Sequence, residues 1–271
     1  MSFRFWLACL LFLSFTAARA EALSYQRDIQ PIFTAKCVAC HACYDSPCQL
    51  NLGSGEGASR GANKLPVYNG VRVKAQEPTR LFLDADHDAA WRRKGFNSVL
   101  NGEGNQAALM ARMLELGRSQ PLTPNAKLPS ALEIGIGREN TCPLPDEFDR
   151  YARRNMHGGM PFAVTGLSDA EYALLQRWLE QGASVEASSP PEPSATESVQ
   201  IDEWESLLNT PGARGNLVGR WLYEHLFIAH LYFEGEGGGR FYQLVRSRTP
   251  SGEPVDAIAT RRPNDDPGTR F

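Results

Sequence analysis

The segment "CVACHACYDSPCQL", residues 37–50, contains four cysteines and one histidine within fourteen positions. Its first five residues have the C-x-x-C-H spacing that is typical of covalent c-type haem attachment. Cys37 and Cys40 are spaced to bond the two vinyl groups on one edge of a porphyrin, and His41 is then placed under the iron as its proximal ligand. The sequence therefore predicts one haem c, attached through Cys37 and Cys40, whose iron is bound by His41.

Other uses of these cysteines are an iron–sulfur cluster, a zinc site or disulfides. A cluster would take Cys43 and Cys48 as further ligands, but the gap between them is four residues and Gln49, not proline, follows. Zinc would need a second pair of ligands at short spacing, and no other histidine of the sequence comes with a cysteine pair. One disulfide is possible, either Cys43–Cys48 or Cys48–Cys142, and the sequence leaves both open.

The N-terminus has the three parts of a secretory signal peptide, namely Arg4, an apolar run, and small residues at Ala18 and Ala20. The apolar run is shorter than the roughly 20 residues that a membrane-spanning helix needs. We therefore expect cleavage after Ala20, a signal peptide over residues 1–20, and a periplasmic protein. Cys9 would leave with the peptide, and the odd number of cysteines that remain means that disulfides cannot account for all of them.

Two helices and a methionine loop are predicted around the haem motif. Upstream, four apolar residues recur at helical spacing and predict a helix that leads to Cys37, with Pro31 placed to kink it. They are Tyr25, Ile29, Ile32 and Phe33. Downstream, a capping box of Ser168 and Glu171 begins a second helix, and Gly182 is placed to end it.

Met160, followed by Pro161, lies in the loop before that second helix. Two helices with apolar stripes and a Met-Pro loop resemble the class I cytochrome c fold, in which this loop supplies the sixth iron ligand. By this resemblance Met160 is the distal ligand, although a methionine at this place can also be an ordinary core residue. His87 and His157 are the alternative axial ligands. His225 and His230 are five apart and point in different directions on a helix, so they cannot hold one metal together.

The composition predicts several units. Residues 21–185 would form the haem domain, with a large insertion at about 42–157 that includes a helix near Leu109. Residues 186–200 are rich in Pro, Ser and Glu and indicate a linker. Residues 201–271 would be the start of a second, α+β domain that is truncated, because so short a segment rarely makes its own core. The expected fold class is mainly α: a class I cytochrome c-like haem domain with a large insertion, followed by the start of that second domain.

The predicted second domain begins with a short helix near Ile201 and continues with an aromatic helix over residues 215–233. The first interpretation of this aromatic helix is a buried core helix, and the alternative is a helix that lies on a membrane surface. Residues 241–249 and 255–262, on either side of the turn "PSGEP", predict a β-hairpin.

The net charge and the glycine motifs argue against two classes of binding partner. The net charge is −3, which argues against nucleic acid. The G-x-G pieces of the sequence are not placed between a strand and a helix, so no nucleotide cofactor is expected.

Three segments together resemble the bacterial periplasmic fatty acid cis/trans isomerase family. They are "DIQPIFTAKCVACHACYDSPCQL", "RLFLDADHDAAWRRKGFNSVL" and "WESLLNTPGARGNLVGRWLYEHLFIAHLYF". The first is the most distinctive, because ordinary cytochromes lack cysteines equivalent to Cys43 and Cys48. Members of the family are much longer than this chain, which favours an N-terminal fragment.

The resemblance implies an isomerase that converts cis double bonds of membrane phospholipid acyl chains to trans, without net redox change, as membranes adapt to solvent or heat. It implies that a ferric haem draws electron density from the π bond, so that the bond can rotate, and that Met160 raises the reduction potential of the iron. Peripheral contact with the membrane is part of this expectation. The alternatives are a periplasmic monohaem cytochrome for electron transfer, and a haem-bearing sensor or structural module without enzymatic activity.

Overall fold

The computed structural model describes residues 23–67, 77–102, 106–135, 138–186, 192–233 and 240–268. The predicted signal peptide, with Cys9, lies outside these residues, as does the middle of the predicted linker. The described part is mainly helical, as expected. Its α-helices are α1 (Gln30–Lys36), α2 (Gly55–Arg60), α3 (Asp88–Arg93), α4 (Leu109–Ser119), α5 (Phe148–Arg154), α6 (Asp169–Glu180), α7 (Ala195–Leu208) and α8 (Ala213–Leu226). Single 3₁₀ turns cover Pro47–Gln49 and Pro145–Glu147.

The predicted helix before the haem motif is present, and its apolar stripe is buried. A π-helical turn over Tyr25–Ile29 continues directly into α1. The change from one helix type to the other occurs beside Pro31, whose missing N–H is tolerated in the first turn of an α-helix. Tyr25 and Phe33 both pack against Trp178 of α6, with ring centroids 5.7 and 6.0 Å apart. Burial of each such side chain stabilises the fold by about 1.5–3 kcal/mol.

Helix α6 begins and ends as its sequence predicts. The Ser168 hydroxyl accepts a hydrogen bond from the Glu171 backbone N–H, and the Glu171 carboxylate accepts one from the Ser168 backbone N–H. After Glu180 the chain turns away at Gly182, whose φ of +92° is in the left-handed region that glycine tolerates.

Helices α4 and α5 belong to the main core, although their sequence lies within the predicted insertion. Leu109 and Leu114 of α4 and Phe148 and Tyr151 of α5 are buried in the same cluster as Trp178. Helix α4 packs against α6, which buries part of its apolar side.

The C-terminal part differs from its sequence-based description in three ways. Helix α7 begins at Ala195, ahead of Ile201, because Ser194 and Glu197 form a second capping box. Helix α8 ends at Leu226, and the segment that was expected to continue it is not helical. The predicted hairpin is reduced to one antiparallel bridge between Ser247 and Ala257 around a turn.

The interpretation of the aromatic helix as a buried core helix is wrong for most of its surface. Tyr223 of α8 is buried, but Leu217 and Trp221 are 67% and 55% exposed. Two ion pairs, one buried and one partly buried, stabilise this region. In the first, Arg80 pairs with Asp84, and the Arg80 guanidinium lies 4.5 Å from the ring centroid of Phe227. The second, between Glu197 and Arg240, ties α7 to the chain after α8. Among the described residues, no helix is long and apolar enough to cross a membrane.

Candidate haem site

The four residues predicted to hold a haem line one apolar cavity. Cys37, Cys40 and His41 form one side of its wall, and Met160 belongs to the same lining. The cavity has a volume of about 220 Å³, and about 1320 Å³ of space lies between its walls when the part open to solvent is included. Its apolar lining includes Phe33, Leu50, Leu52, Val99, Leu109, Met110, Met113, Leu114, Tyr151, Pro161, Phe162 and Val164.

A helical turn after α1 explains how the C-x-x-C-H spacing brings these three side chains to one cavity. The Cys37 N–H donates to the Phe33 carbonyl, and the Cys40 and His41 N–H groups then donate to the Cys37 carbonyl at 3.0 and 2.9 Å. Residues three and four positions apart lie on the same side of such a turn. Cys37, Cys40 and His41 therefore reach the cavity together.

His41 is buried, and its ring is held by a backbone carbonyl. Its Nδ1 lies 3.0 Å from the carbonyl oxygen of Leu50. A carbonyl only accepts hydrogen bonds, so Nδ1 carries the proton and the lone pair is on Nε2. Burial lowers the pKa of His41, partly opposed by the bond to Leu50, so the ring is neutral at neutral pH. A neutral imidazole with a free Nε2 is the form that binds iron.

The second half of the quoted motif forms a cradle for the His41 turn. The Leu50 carbonyl accepts a second hydrogen bond, from the buried Ser46 hydroxyl at 2.8 Å. The His41 carbonyl accepts from the Leu52 N–H at 2.6 Å, and the Asn51 side chain donates to the Ala42 carbonyl. Sequence reasoning missed these roles, because none of them follows from a known spacing.

Arg60 stabilises this cradle through hydrogen bonds to the backbone. Its guanidinium is buried and donates to the carbonyls of Gln49 and Thr79 at 2.5 and 2.8 Å. It also lies 5.3 and 4.8 Å from the ring centroids of Trp91 and Phe96. Burial lowers the pKa of Arg60 to about 10, so it stays charged at neutral pH. No motif indicates this role, since Arg60 lies in a stretch rich in Gly, Ser and Asn.

The five cysteines that the structure describes divide into one disulfide and three thiols. Cys48 and Cys142 are bonded, with their Cα atoms 5.7 Å apart, whereas Cys37, Cys40 and Cys43 are free. Cys48 is therefore not available as the fourth ligand of an iron–sulfur cluster. Within the described ranges, no group of three or more His, Cys, Asp or Glu residues could hold a metal ion. Burial raises the pKa of the Cys37 thiol to about 11, so it is a neutral thiol.

Met160 is held against α4 by a close approach of two glycines. Its N–H donates to the Met113 carbonyl at 2.9 Å. A Cβ on Gly117 would lie 2.2 Å from the Met160 carbonyl oxygen, and one on Gly159 would lie 2.0 Å from the Gly117 nitrogen. Only glycine fits at these two positions, so they set the place of Met160 on the helix.

The alternative axial ligands lie elsewhere. His87 is exposed at the start of α3 and contacts Asp86. His157 lines a neighbouring pocket, not the cavity that holds His41. His225 stacks on Trp221, with ring centroids 4.3 Å apart. The assignment of Met160 as the distal ligand stays a prediction, and it is the candidate that the cavity accommodates.

Polar residues at the edge of the cavity complete the lining. Lys36, Arg138, Asn140 and Thr141 are all part of it. Arg138 donates to Asn140 at 2.9 Å and lies 4.1 Å from the ring of Phe162. An apolar cavity with thiols, one neutral imidazole, a thioether and a cationic edge fits a haem, whose two propionates are acidic.

Comparison with known families decides what kind of protein this is. Residues 76–271 match the family model of fatty acid cis/trans isomerase (CTI). The chain belongs to this family. It is therefore an enzyme, an isomerase whose substrates are unsaturated fatty acyl chains. No curated protein and no solved structure matches the isomerase.

The matched part of the isomerase includes Met160 and Cys142 but not the haem motif. The Cys48–Cys142 disulfide joins the two parts covalently, and the hydrogen bond from Arg60 to Thr79 adds a second connection. The candidate haem cavity is thus built jointly by the motif and by the segment that carries the family signature.

Proposed function

We propose that the isomerase binds one haem c through Cys37 and Cys40, with His41 on the iron, and uses it to convert cis acyl chains of membrane phospholipids to trans. The observation that carries this proposal is the state of His41. It is neutral, it lines the same apolar cavity as both thiols and Met160, and its Nδ1 is occupied by the Leu50 carbonyl. This leaves Nε2 for a metal, as in other haem proteins.

The residues of the chain have distinct tasks in this proposal. Cys37 and Cys40 would attach the porphyrin and Nε2 of His41 would bind the iron, while Nδ1 of His41 keeps its proton and donates it in the hydrogen bond to the Leu50 carbonyl. Arg138 and Lys36, which line the same cavity, would hold the propionates, and the apolar wall would exclude water.

A ferric haem would supply an electron-poor centre that withdraws density from the alkene π bond and returns it, so no net redox change occurs. Met160 as the sixth ligand would raise the reduction potential of that centre. A bound Met160 would also close the sixth position, so it would have to leave the iron before another ligand could bind there. The class I cytochrome c-like arrangement of this region is part of the same proposal.

An exposed apolar surface supports a membrane phospholipid as the substrate. Trp204 and Leu207 of α7 and Leu217 and Trp221 of α8 are all exposed. Tryptophan favours the boundary between lipid head groups and acyl chains. We propose that this surface makes the peripheral contact with the membrane.

The proposed location is the periplasm, where the isomerase would act on membranes under solvent or heat stress. The Cys48–Cys142 disulfide supports this location, because structural disulfides persist in oxidising compartments and are rare in the cytosol.

The test is to incubate purified protein with vesicles of cis-unsaturated phosphatidylethanolamine, without electron donor or acceptor, and to measure trans acyl chains by gas chromatography. The wild type and Cys43→Ser should form trans product and stain for haem after denaturation. Cys37→Ser with Cys40→Ser should lose both. Trans product from the haem-free variant would contradict the proposal, and haem-loaded wild type that forms none would favour the electron-transfer alternative.

A further inference from the structure

A second pocket lies beside the candidate haem cavity. It has a volume of about 320 Å³ and is enclosed by the C-terminal half of α4, residues 120–122, and the loop of residues 156–167. This volume is at the lower end of the roughly 300–1,000 Å³ of small-molecule sites. Most of the side chains that line it are apolar, among them Leu116, Leu122, Leu132, Met156, Val164 and Leu167.

The two cavities share part of their walls. Leu114, Met160, Pro161 and Val164 line both. Met160 lies at the junction between the cavities because it lines both of them. The close approach of Gly117 holds its backbone against α4. A ligand in the second pocket therefore contacts the same methionine that lines the haem cavity.

The charges in the second pocket cancel. Arg118 donates to the Asp169 carboxylate at 2.8 Å and lies 4.6 Å from the ring centroid of Tyr172. The Nδ1 atom of His157 is buried and has no hydrogen-bond partner. Because Arg118 is already paired with Asp169, it offers no unpaired cation to a free carboxylate in this pocket, and burying such a carboxylate without a counter-ion is costly.

We propose that this second pocket binds the unsaturated acyl chain of the substrate and places its double bond beside Met160. The proposal rests on the proposed function for what the neighbouring haem does, but the pocket itself follows from the substrate class of the family and from its own lining. An acyl chain is uncharged along its length, which matches the leucine, methionine and valine side chains of the lining. Met156 and Val164 are 59% and 46% exposed and form an apolar edge through which the chain enters.

The first experiment measures binding directly. Oleoyl lysophosphatidylcholine, which has one cis acyl chain, is titrated below its critical micelle concentration into the haem-loaded protein by calorimetry. Met156→Glu adds a charge at the entrance and should weaken binding by about tenfold or more. Leu122→Trp, which fills the pocket from a partly exposed position, should weaken it as well. Val255→Glu adds the same charge at an exposed position outside both cavities and should bind as the wild type does.

The second experiment separates this proposal from the haem proposal. The haem-free Cys37→Ser, Cys40→Ser protein should still bind the lipid but form no trans product, and Met156→Glu should raise KM with little change in kcat. If Met156→Glu and Leu122→Trp both bind lipid as the wild type does, the pocket is not the acyl site, whatever the haem does. If the haem-free protein forms trans product and Met156→Glu still weakens lipid binding, the second pocket is supported as the acyl-chain site and the haem proposal is wrong.

Discussion

The carbonyl oxygen of Leu50 is the atom on which the orientation of His41 depends. It accepts from His41 Nδ1 at 3.0 Å and from the Ser46 hydroxyl at 2.8 Å. An acceptor that is shared between two donors binds each less strongly than it would bind one alone. Ser46 therefore limits how much electron density His41 gains from its hydrogen bond, and this density in turn affects the iron that His41 would bind.

Ser46→Ala should lower the reduction potential of the haem-loaded protein. Without Ser46, the Leu50 carbonyl bonds His41 more strongly, and a more electron-rich imidazole favours ferric iron. The variant should also lose about 1 kcal/mol of unfolding free energy. Potentiometric titration measures the first effect. Ser119→Ala removes a serine-to-carbonyl bond of the same 2.8 Å length at an exposed site and should leave the potential unchanged. Equal potentials for Ser46→Ala and the wild type would contradict the role given to Leu50.

At the scale of elements, the contact between α4 and the Met160 loop positions one side of the cavity. An alanine inside a helix is normally more stable than a glycine by about 1 kcal/mol. At Gly117 of α4 the added Cβ would instead lie 2.2 Å from the Met160 carbonyl oxygen, an impossible approach. Only a glycine at this position lets the loop lie directly on the helix.

Gly117→Ala should therefore destabilise the protein by about 1–3 kcal/mol despite its higher helix propensity, because the Met160 loop has to move. In the haem-loaded ferric protein, the weak near-infrared band of methionine-to-iron charge transfer should decrease. Urea unfolding and absorption spectroscopy measure the two effects. Gly166→Ala is the control, since a Cβ at Gly166 meets no atom within 4 Å. A Gly117→Ala protein as stable as the control, with its spectrum unchanged, would show that the loop does not depend on this contact.

At the scale of the whole molecule, one disulfide links the haem motif to a segment far along the chain. Cys48 and Cys142 are 94 residues apart, and Cys142 belongs to the part that matches the isomerase family. The same segment brings Arg138 to the edge of the candidate haem cavity. The disulfide therefore restricts the conformations of the unfolded chain, and in the folded protein it restricts the position of the cavity edge.

Cys142→Ser should lower the free energy of unfolding by about 4–5 kcal/mol, because closing a loop of this length removes much entropy from the unfolded chain. The same loss should follow reduction of the wild type by dithiothreitol, measured by urea unfolding. Cys43→Ser, which removes a free and exposed thiol, should change stability by less than about 0.5 kcal/mol. Wild-type protein that is equally stable before and after reduction would refute a structural role for this disulfide.

Local features of this protein were predictable because they depend on neighbours in sequence. The stripe from Tyr25 to Phe33 predicted a buried helix, and Ser168 and Glu171 predicted where α6 begins. The start of α7 was missed, although Ser194 and Glu197 form the same kind of capping box. Proline and serine around it outweighed this signal and indicated a linker. The C-terminal end of α8 was placed too late because the apolar run continues past Leu226, where the chain is no longer helical.

The sequence by itself determined the chemistry available at the candidate site: two thiols and an imidazole that one helical turn brings together, and the family to which the chain belongs. Only the tertiary structure decided how that chemistry is held. The carbonyl that orients His41 is nine residues away, Gln49 and Arg60 are eleven apart, and the Cys48 partner is 94 residues away. Such partners are selected by the packing of α1, α4 and α6, because the burial of their apolar faces brings distant segments together and no local pattern encodes the result.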